Sequence, residues 1–81
     1  MSKIVQSDVI AVIENALEIK TGTLTSSTCA EEVESWDSIG QLSILVALDE
    51  LYDGEIVSIS EMAEASSVTK IIEILRRHTM L

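Results

Sequence analysis

Ser38 lies in the stretch Trp36-Asp37-Ser38-Ile39-Gly40-Gln41-Leu42, which also holds the only tryptophan and one of three glycines. A serine hydroxyl can serve as a nucleophile, a helix cap or a point of covalent attachment. A nucleophilic serine needs a base within hydrogen-bond reach. The only histidine, His78, falls at the far end of the last expected helix, and no Gly-x-Ser-x-Gly elbow surrounds Ser38. One histidine and one cysteine, distant in sequence, do not make a zinc site. The run Asp49-Glu50-Leu51-Tyr52-Asp53-Gly54-Glu55 lacks the alternating carboxylates that a calcium loop sets before its glycine. Its carboxylates read as a solvated face. No catalytic set and no metal site is expected, so the chain is not read as an enzyme.

Asp37 precedes the serine and suits an N-cap, because a short carboxylate there accepts from a free first-turn N–H. A helix N-terminus beside Ser38 would also favour a phosphate group. The elements that must hold this arrangement follow from size and pattern. The 81 residues make one expected domain, spanning 1–81. A domain this small buries only roughly 60% of its unfolded surface. Phenylalanine is absent and tryptophan and tyrosine occur once each, so aliphatic side chains must fill the core.

Fourteen acidic residues against five basic ones give a formal charge of −9. That balance argues against nucleic acid, which is bound by neutralising phosphates with Lys and Arg. It argues equally against anionic membranes and favours basic partner surfaces. Cys29 is alone, so no internal disulfide is possible. No run of about 18 apolar residues could span a membrane. The stretch Met1 to Asp8 lacks the apolar core of a signal peptide, and a cytoplasmic location is the expectation.

Val5, Val9, Val12, Ile13 and Ala16 recur at spacings of three and four, which predicts a helix from about Ile4 to Ile19. Thr21-Gly22 ends it. Thr23 to Ser35 reads as a long ordered loop anchored by Leu24 and Val33, and a loop of that length is a candidate carrier of function. The second helix is expected over Ser38 to Tyr52, stopped by Asp53-Gly54. A short helical turn capped by Ser60 should cover Ser60-Glu61-Met62-Ala63-Glu64. The last helix should run from Ser67 toward His78, with Val68, Ile71, Ile72 and Leu75 on its apolar face. The expected fold is all-α: a small four-helix bundle, three longer helices and one short one.

Turned at about 100° per residue, the second helix divides into two arcs. Gly40, Gln41, Ile44, Leu45, Ala47, Leu48, Leu51 and Tyr52 form a broad, mostly aliphatic arc for the core. Ile39, Leu42, Ser43, Val46, Asp49, Glu50 and Asp53 form the other. Three aliphatic residues among three carboxylates, on the side that should see solvent, mark a contact surface. Ser38 stands at the border of the arcs. A small acidic protein-interaction module without a prosthetic group would account for these features.

The combination also resembles the acyl carrier protein family and the wider phosphopantetheine-binding carrier domains. The family pattern of Asp-Ser-Leu followed by Asp or Gly stands here as Asp37-Ser38-Ile39-Gly40. The run Ala47-Leu48-Asp49-Glu50-Leu51-Tyr52-Asp53-Gly54-Glu55-Ile56 is similar to the family's Ala-Leu-Glu-Glu-x-Phe-x-x-x-Ile. Val68, Ile71 and Ile72 fall where the family's last helix begins. The resemblance implies that Ser38 carries 4′-phosphopantetheine, taken from coenzyme A, through a phosphodiester. The arm's thiol would hold acyl or aminoacyl groups as thioesters in lipid or polyketide biosynthesis. It further implies that Asp37 presents Ser38, that Gly40 eases approach of the arm, and that Ile39, Leu42 and Val46, with Asp49, Glu50 and Asp53, meet partner enzymes. Those partners would be a phosphopantetheinyl transferase, an acyl- or aminoacyl-loading ligase, and downstream synthases or transferases acting on a monomeric carrier. A sequestered acyl chain would enter among Ile44, Leu48, Ile59, Ile71 and Leu75. Cys29 would be a small apolar filler. Ile39 in place of leucine, Gly40 in place of aspartate, Tyr52 in place of phenylalanine, and Trp36 before the motif point to a dedicated carrier of a specialised pathway.

Overall fold

The computed structural model describes residues 4–81, so Met1 to Lys3 of the N-terminal stretch lie outside the described residues. Three α-helices form: α1 over Gln6–Ala16, α2 over Ser38–Leu51 and α3 over Val68–Arg77. Two 3-10 turns, Ala30–Glu32 and Ser60–Glu64, lie between them. The expected short fourth helix is a five-residue 3-10 segment, and the described residues form a small all-helical fold of three α-helices. Ser60 does not cap that turn. Ile59 occupies the cap position, with no side-chain hydrogen bond there. Among the described residues there is no strand, only an isolated antiparallel bridge between Cys29 and Ser67. No described helix is long and apolar enough to cross a membrane.

α1 is shorter than its apolar pattern. Val5 is its N-cap and is exposed rather than packed on the core, and the Asp8 carboxylate accepts from the Val5 N–H at 3.0 Å. Val9 and Ile13 are fully buried, while Val12 and Ala16 are half-buried. α3 begins at the Ser67 cap, whose hydroxyl accepts from Lys70 N–H at 3.1 Å. Its expected face of Val68, Ile71, Ile72 and Leu75 is buried, and Ile74 joins it. Five large aliphatic side chains on one ten-residue helix make α3 the main contributor to the core.

The long loop is held at both ends. The buried Glu14 carboxylate accepts from Gly22 N–H at 2.8 Å and from Leu24 N–H at 3.0 Å, and Leu24 is buried beside it. Further on, Ala30 N–H donates to the Ser66 carbonyl at 2.7 Å, and Val68 N–H donates to the Thr28 carbonyl at 2.9 Å. Unpaired backbone groups are costly once buried, so these bonds fix a segment that has little regular structure. Cys29 is exposed on this loop, not an apolar filler within it.

The end of the chain is docked through Tyr52, whose hydroxyl donates to the Met80 carbonyl at 3.2 Å. Burial, with a smaller contribution from the Asp8 carboxylate, pushes the Tyr52 phenol above its ordinary value. A group whose folded value is raised contributes stability below its unfolded value of about 10, and that stability is lost as pH rises through the folded value. Tyr52 is the only tyrosine. Absorbance titration near the phenolate band should therefore show a single transition displaced above that of a free tyrosine, accompanied by loss of stability. An ordinary midpoint would mean that Tyr52 is not seated against the tail.

Candidate functional site

Ser38 is the first residue of α2 and is exposed. Asp37 caps the helix as expected: its Oδ1 accepts from Gly40 N–H at 2.9 Å. Its backbone carbonyl accepts from Gln41 N–H at 2.8 Å. The N–H groups of Ser38 and Ile39, in the first turn, have no intrahelical acceptor and stay available to an anion. Among the described residues no side chain hydrogen-bonds the Ser38 hydroxyl. His78 instead sits 3.7 Å from Glu61, beside the 2.8 Å ion pair of Arg77 with Glu61. The Arg77 hydrogen bond holds Glu61 below the usual carboxylate range. The arrangement offers an accessible alcohol next to a partial positive charge.

The centres of both arcs of α2 form, but Gln41, Leu45, Ala47 and Leu51, expected in the core arc, are only half-buried, and Ala47 lines a surface recess. Gly40, Ile44, Leu48 and Tyr52 are buried, whereas Ile39, Leu42 and Val46 are 76%, 61% and 51% exposed. Ser38, Ile39, Leu42, Val46 and Glu50 thus share one accessible surface, with Asp53 exposed just past the end of the helix. Asp49 does not simply join them. Its Oδ1 accepts from Ile56 N–H at 3.0 Å and Val57 N–H at 3.1 Å, so it holds the chain that leaves α2.

Gly40 has a packing task that the sequence did not reveal. It is buried, and a Cβ there would run into the Ser35 carbonyl oxygen and lie 3.0 Å from Leu17 Cδ2. The residue seats the start of α2 against the preceding loop and the end of α1. Alanine would gain about 1 kcal/mol in helix propensity. Displacing backbone to make room should cost about 1–3 kcal/mol or more. Gly40→Ala is accordingly expected to destabilise the protein in a denaturant titration. Higher stability would show that α2 is not seated this closely on Ser35.

Sequence reasoning placed Gln41 in the core arc and missed what it does. The Trp36 indole donates to Gln41 Oε1 at 2.6 Å, and Gln41 Nε2 donates to the carbonyls of Met62 and Ala63 at 3.2 and 3.3 Å. One amide thereby ties the loop, α2 and the second 3-10 turn together. Trp36 and Gln41 occupy the positions before the cap and four into the helix, where a hydrophobic staple commonly forms. That spacing was the available signal. The clasp forms part of an open groove of about 680 Å3, lined by Ser38, Trp36, Gln41, Leu42 and Leu45 and faced by Ala63 and Glu64. By contrast Ile44, Leu48, Ile71 and Leu75 are fully buried and Ile59 is half-buried, so these side chains fill the interior. No group of three or more metal-ligating side chains is assembled among the described residues. Compared with family models, curated proteins and solved structures, the chain matches none of them.

Proposed function

We propose that this chain is an acyl carrier protein of a specialised pathway, which receives a 4′-phosphopantetheine arm on Ser38 and does no chemistry itself. The observation that carries the reading is the exposed Ser38 hydroxyl at a capped helix N-terminus, bordered by an exposed aliphatic surface. The Asp-Ser-Ile-Gly motif and the downstream run that resemble the carrier family support it. The residues suit the group: the first-turn N–H groups favour its phosphate, and the groove beside Ser38 offers the arm an apolar bed. Cargo would be held as a thioester on the arm that starts beside that groove. The location that fits such a carrier is the cytoplasm, and the partners are a phosphopantetheinyl transferase, a loading ligase and downstream synthases or transferases. The decisive measurement is the intact mass of the protein after incubation with coenzyme A and a phosphopantetheinyl transferase. One added arm supports the carrier; an unchanged mass favours an unmodified interaction module.

Charge should govern how the transferase finds this surface, since rim charges chiefly set encounter rates. Glu50 and Asp53 are exposed and suitable for change, whereas Asp49 is engaged in the loop. Asp53 has a positive φ of 55°, which asparagine tolerates. The double variant Glu50→Lys with Asp53→Asn is expected to slow arm transfer most at low salt and to approach wild type as salt screens the attraction. Equal initial rates at low salt would place the steering charge elsewhere.

A further inference from the structure

The second 3-10 turn, Ser60–Glu64, forms one wall of the groove beside Ser38, and its own sequence fastens it weakly. A 3-10 segment has poorer hydrogen-bond geometry than an α-helix. This one follows Ile59, which supplies no side-chain cap. Met62 is buried and roots the turn in the core, whereas Ala63 and Glu64, which line the groove, are exposed. Two side chains reach the turn from the helices. Arg77 of α3 pairs with Glu61 at 2.8 Å, but both are exposed and such a pair contributes little. Gln41 of α2 is half-buried, lines the same groove, and donates to the carbonyls of Met62 and Ala63. The Trp36 indole N–H can only donate, so it draws Gln41 Oε1 toward itself and leaves both Nε2 hydrogens for the turn. The amide has no freedom to turn over without losing all three bonds.

We propose that Gln41 is a positioning residue: oriented by Trp36, its amide holds the second 3-10 turn against α2 and so sets the width of the groove beside Ser38. A group too wide for the groove enters only if the turn swings away from α2. That movement leaves the half-buried amide without its acceptors, and an unpaired polar group is costly. Gln41 therefore sets the groove against bulk, which makes it a determinant of what the site accepts. The inference rests on the carrier reading only for the identity of the group admitted, the arm with its cargo. The clasp itself belongs to the residues of this chain.

The test uses native-state amide hydrogen exchange on the full, unmodified chain. The N–H groups of Met62 and Ala65 donate to the carbonyls of Ile59 and Met62 and report opening of the turn. Those of the buried Ile74 and Leu75 in α3 report opening of the core. Gln41→Glu keeps the acceptor for Trp36 and sets a negative charge near the N-terminal end of α2, which the helix dipole favours. Its carboxylate donates nothing to the turn. Protection of Met62 and Ala65 should fall about tenfold relative to Ile74 and Leu75, the size expected when two hydrogen bonds are lost. Gln41→Met, of similar length and without the amide, replaces it if the Glu variant loses its helical circular dichroism. Glu61→Gln removes the exposed ion pair of the same turn and should match wild type within about twofold. Acrylamide quenching of the only tryptophan gives a second readout: access to Trp36 should rise in the Gln41 variant and stay low in Glu61→Gln. Protection lost equally in α3 would mean that Gln41 only adds to overall stability, and would overturn the positioning role. Unchanged access to Trp36, or equal loosening by Glu61→Gln, would overturn it as well. Intact mass after arm transfer tests the carrier separately. A protein that takes no arm but loosens selectively at the turn overturns only the carrier. One that takes the arm without selective loosening overturns only the role of Gln41.

Discussion

Ser38→Ala is expected to abolish the mass gain from coenzyme A and a phosphopantetheinyl transferase while leaving the helical signal intact. The loss should be complete, because removal of the hydroxyl oxygen removes the atom to which a phosphodiester must attach. Folding should survive because the Ser38 side chain is exposed and makes no side-chain hydrogen bond among the described residues. The cap that starts α2 belongs to Asp37, not to Ser38. Alanine is also a better helix former than serine. Two measurements decide the matter: intact mass after the transfer reaction and the far-ultraviolet circular dichroism of the untreated variant. A variant that still gains one arm would move the attachment to another hydroxyl and sink the proposed function. A variant that gains none but has lost its helices would be replaced by Ser38→Cys, a near-isosteric change at the same exposed position. Modification of neither folded variant would leave Ser38 as the site.

Leu48→Ala is expected to lower stability by about 2–5 kcal/mol, the usual cost of emptying a fully buried leucine site. Leu48 is completely buried in the core cluster, on the same arc as Ile44 and Tyr52. A domain of this size has roughly 4–12 kcal/mol in total, so the change removes a large share. Each kcal/mol lowers the melting temperature of such a domain by about 4–8 °C. Leu42→Ala is the matched comparison on the other arc of the same helix. Leu42 is mostly exposed, so its truncation should stay within about 0.5 kcal/mol of wild type. Thermal unfolding of both variants reads the orientation of α2 directly. Equal and small losses would mean that the helix does not bury the arc seen here, and the exposed aliphatic surface beside Ser38 would have to be assigned anew.

The sequence alone determined the local features around Ser38. Asp37 caps α2 because a short acceptor stands just before a run with helical period, and both partners of that bond lie within three residues. The two arcs of α2 were legible because one helix turns its neighbours through a fixed angle, so Ile44 and Leu48 had to point one way and Leu42 and Val46 the other. The same reasoning overextended α1 and read a fourth helix into Ser60–Glu64, where the backbone makes only a 3-10 turn. Periodicity records which side chains can share a face, and it does not record where tertiary contacts end a helix. Tertiary structure alone decided the features that join distant residues. Gln41 reaches Met62 and Ala63, Glu14 reaches Gly22 and Leu24, and Asp49 reaches Ile56 and Val57, each across a separation that no local pattern encodes. Gly40 belongs with them. Its glycine reads as a gap in the sequence, but the missing Cβ is required by the Ser35 carbonyl that the folded loop brings against it. A helical period specifies direction from one residue to the next, whereas a buried amide or carboxylate takes its role from whichever unpaired backbone group the completed fold brings within reach.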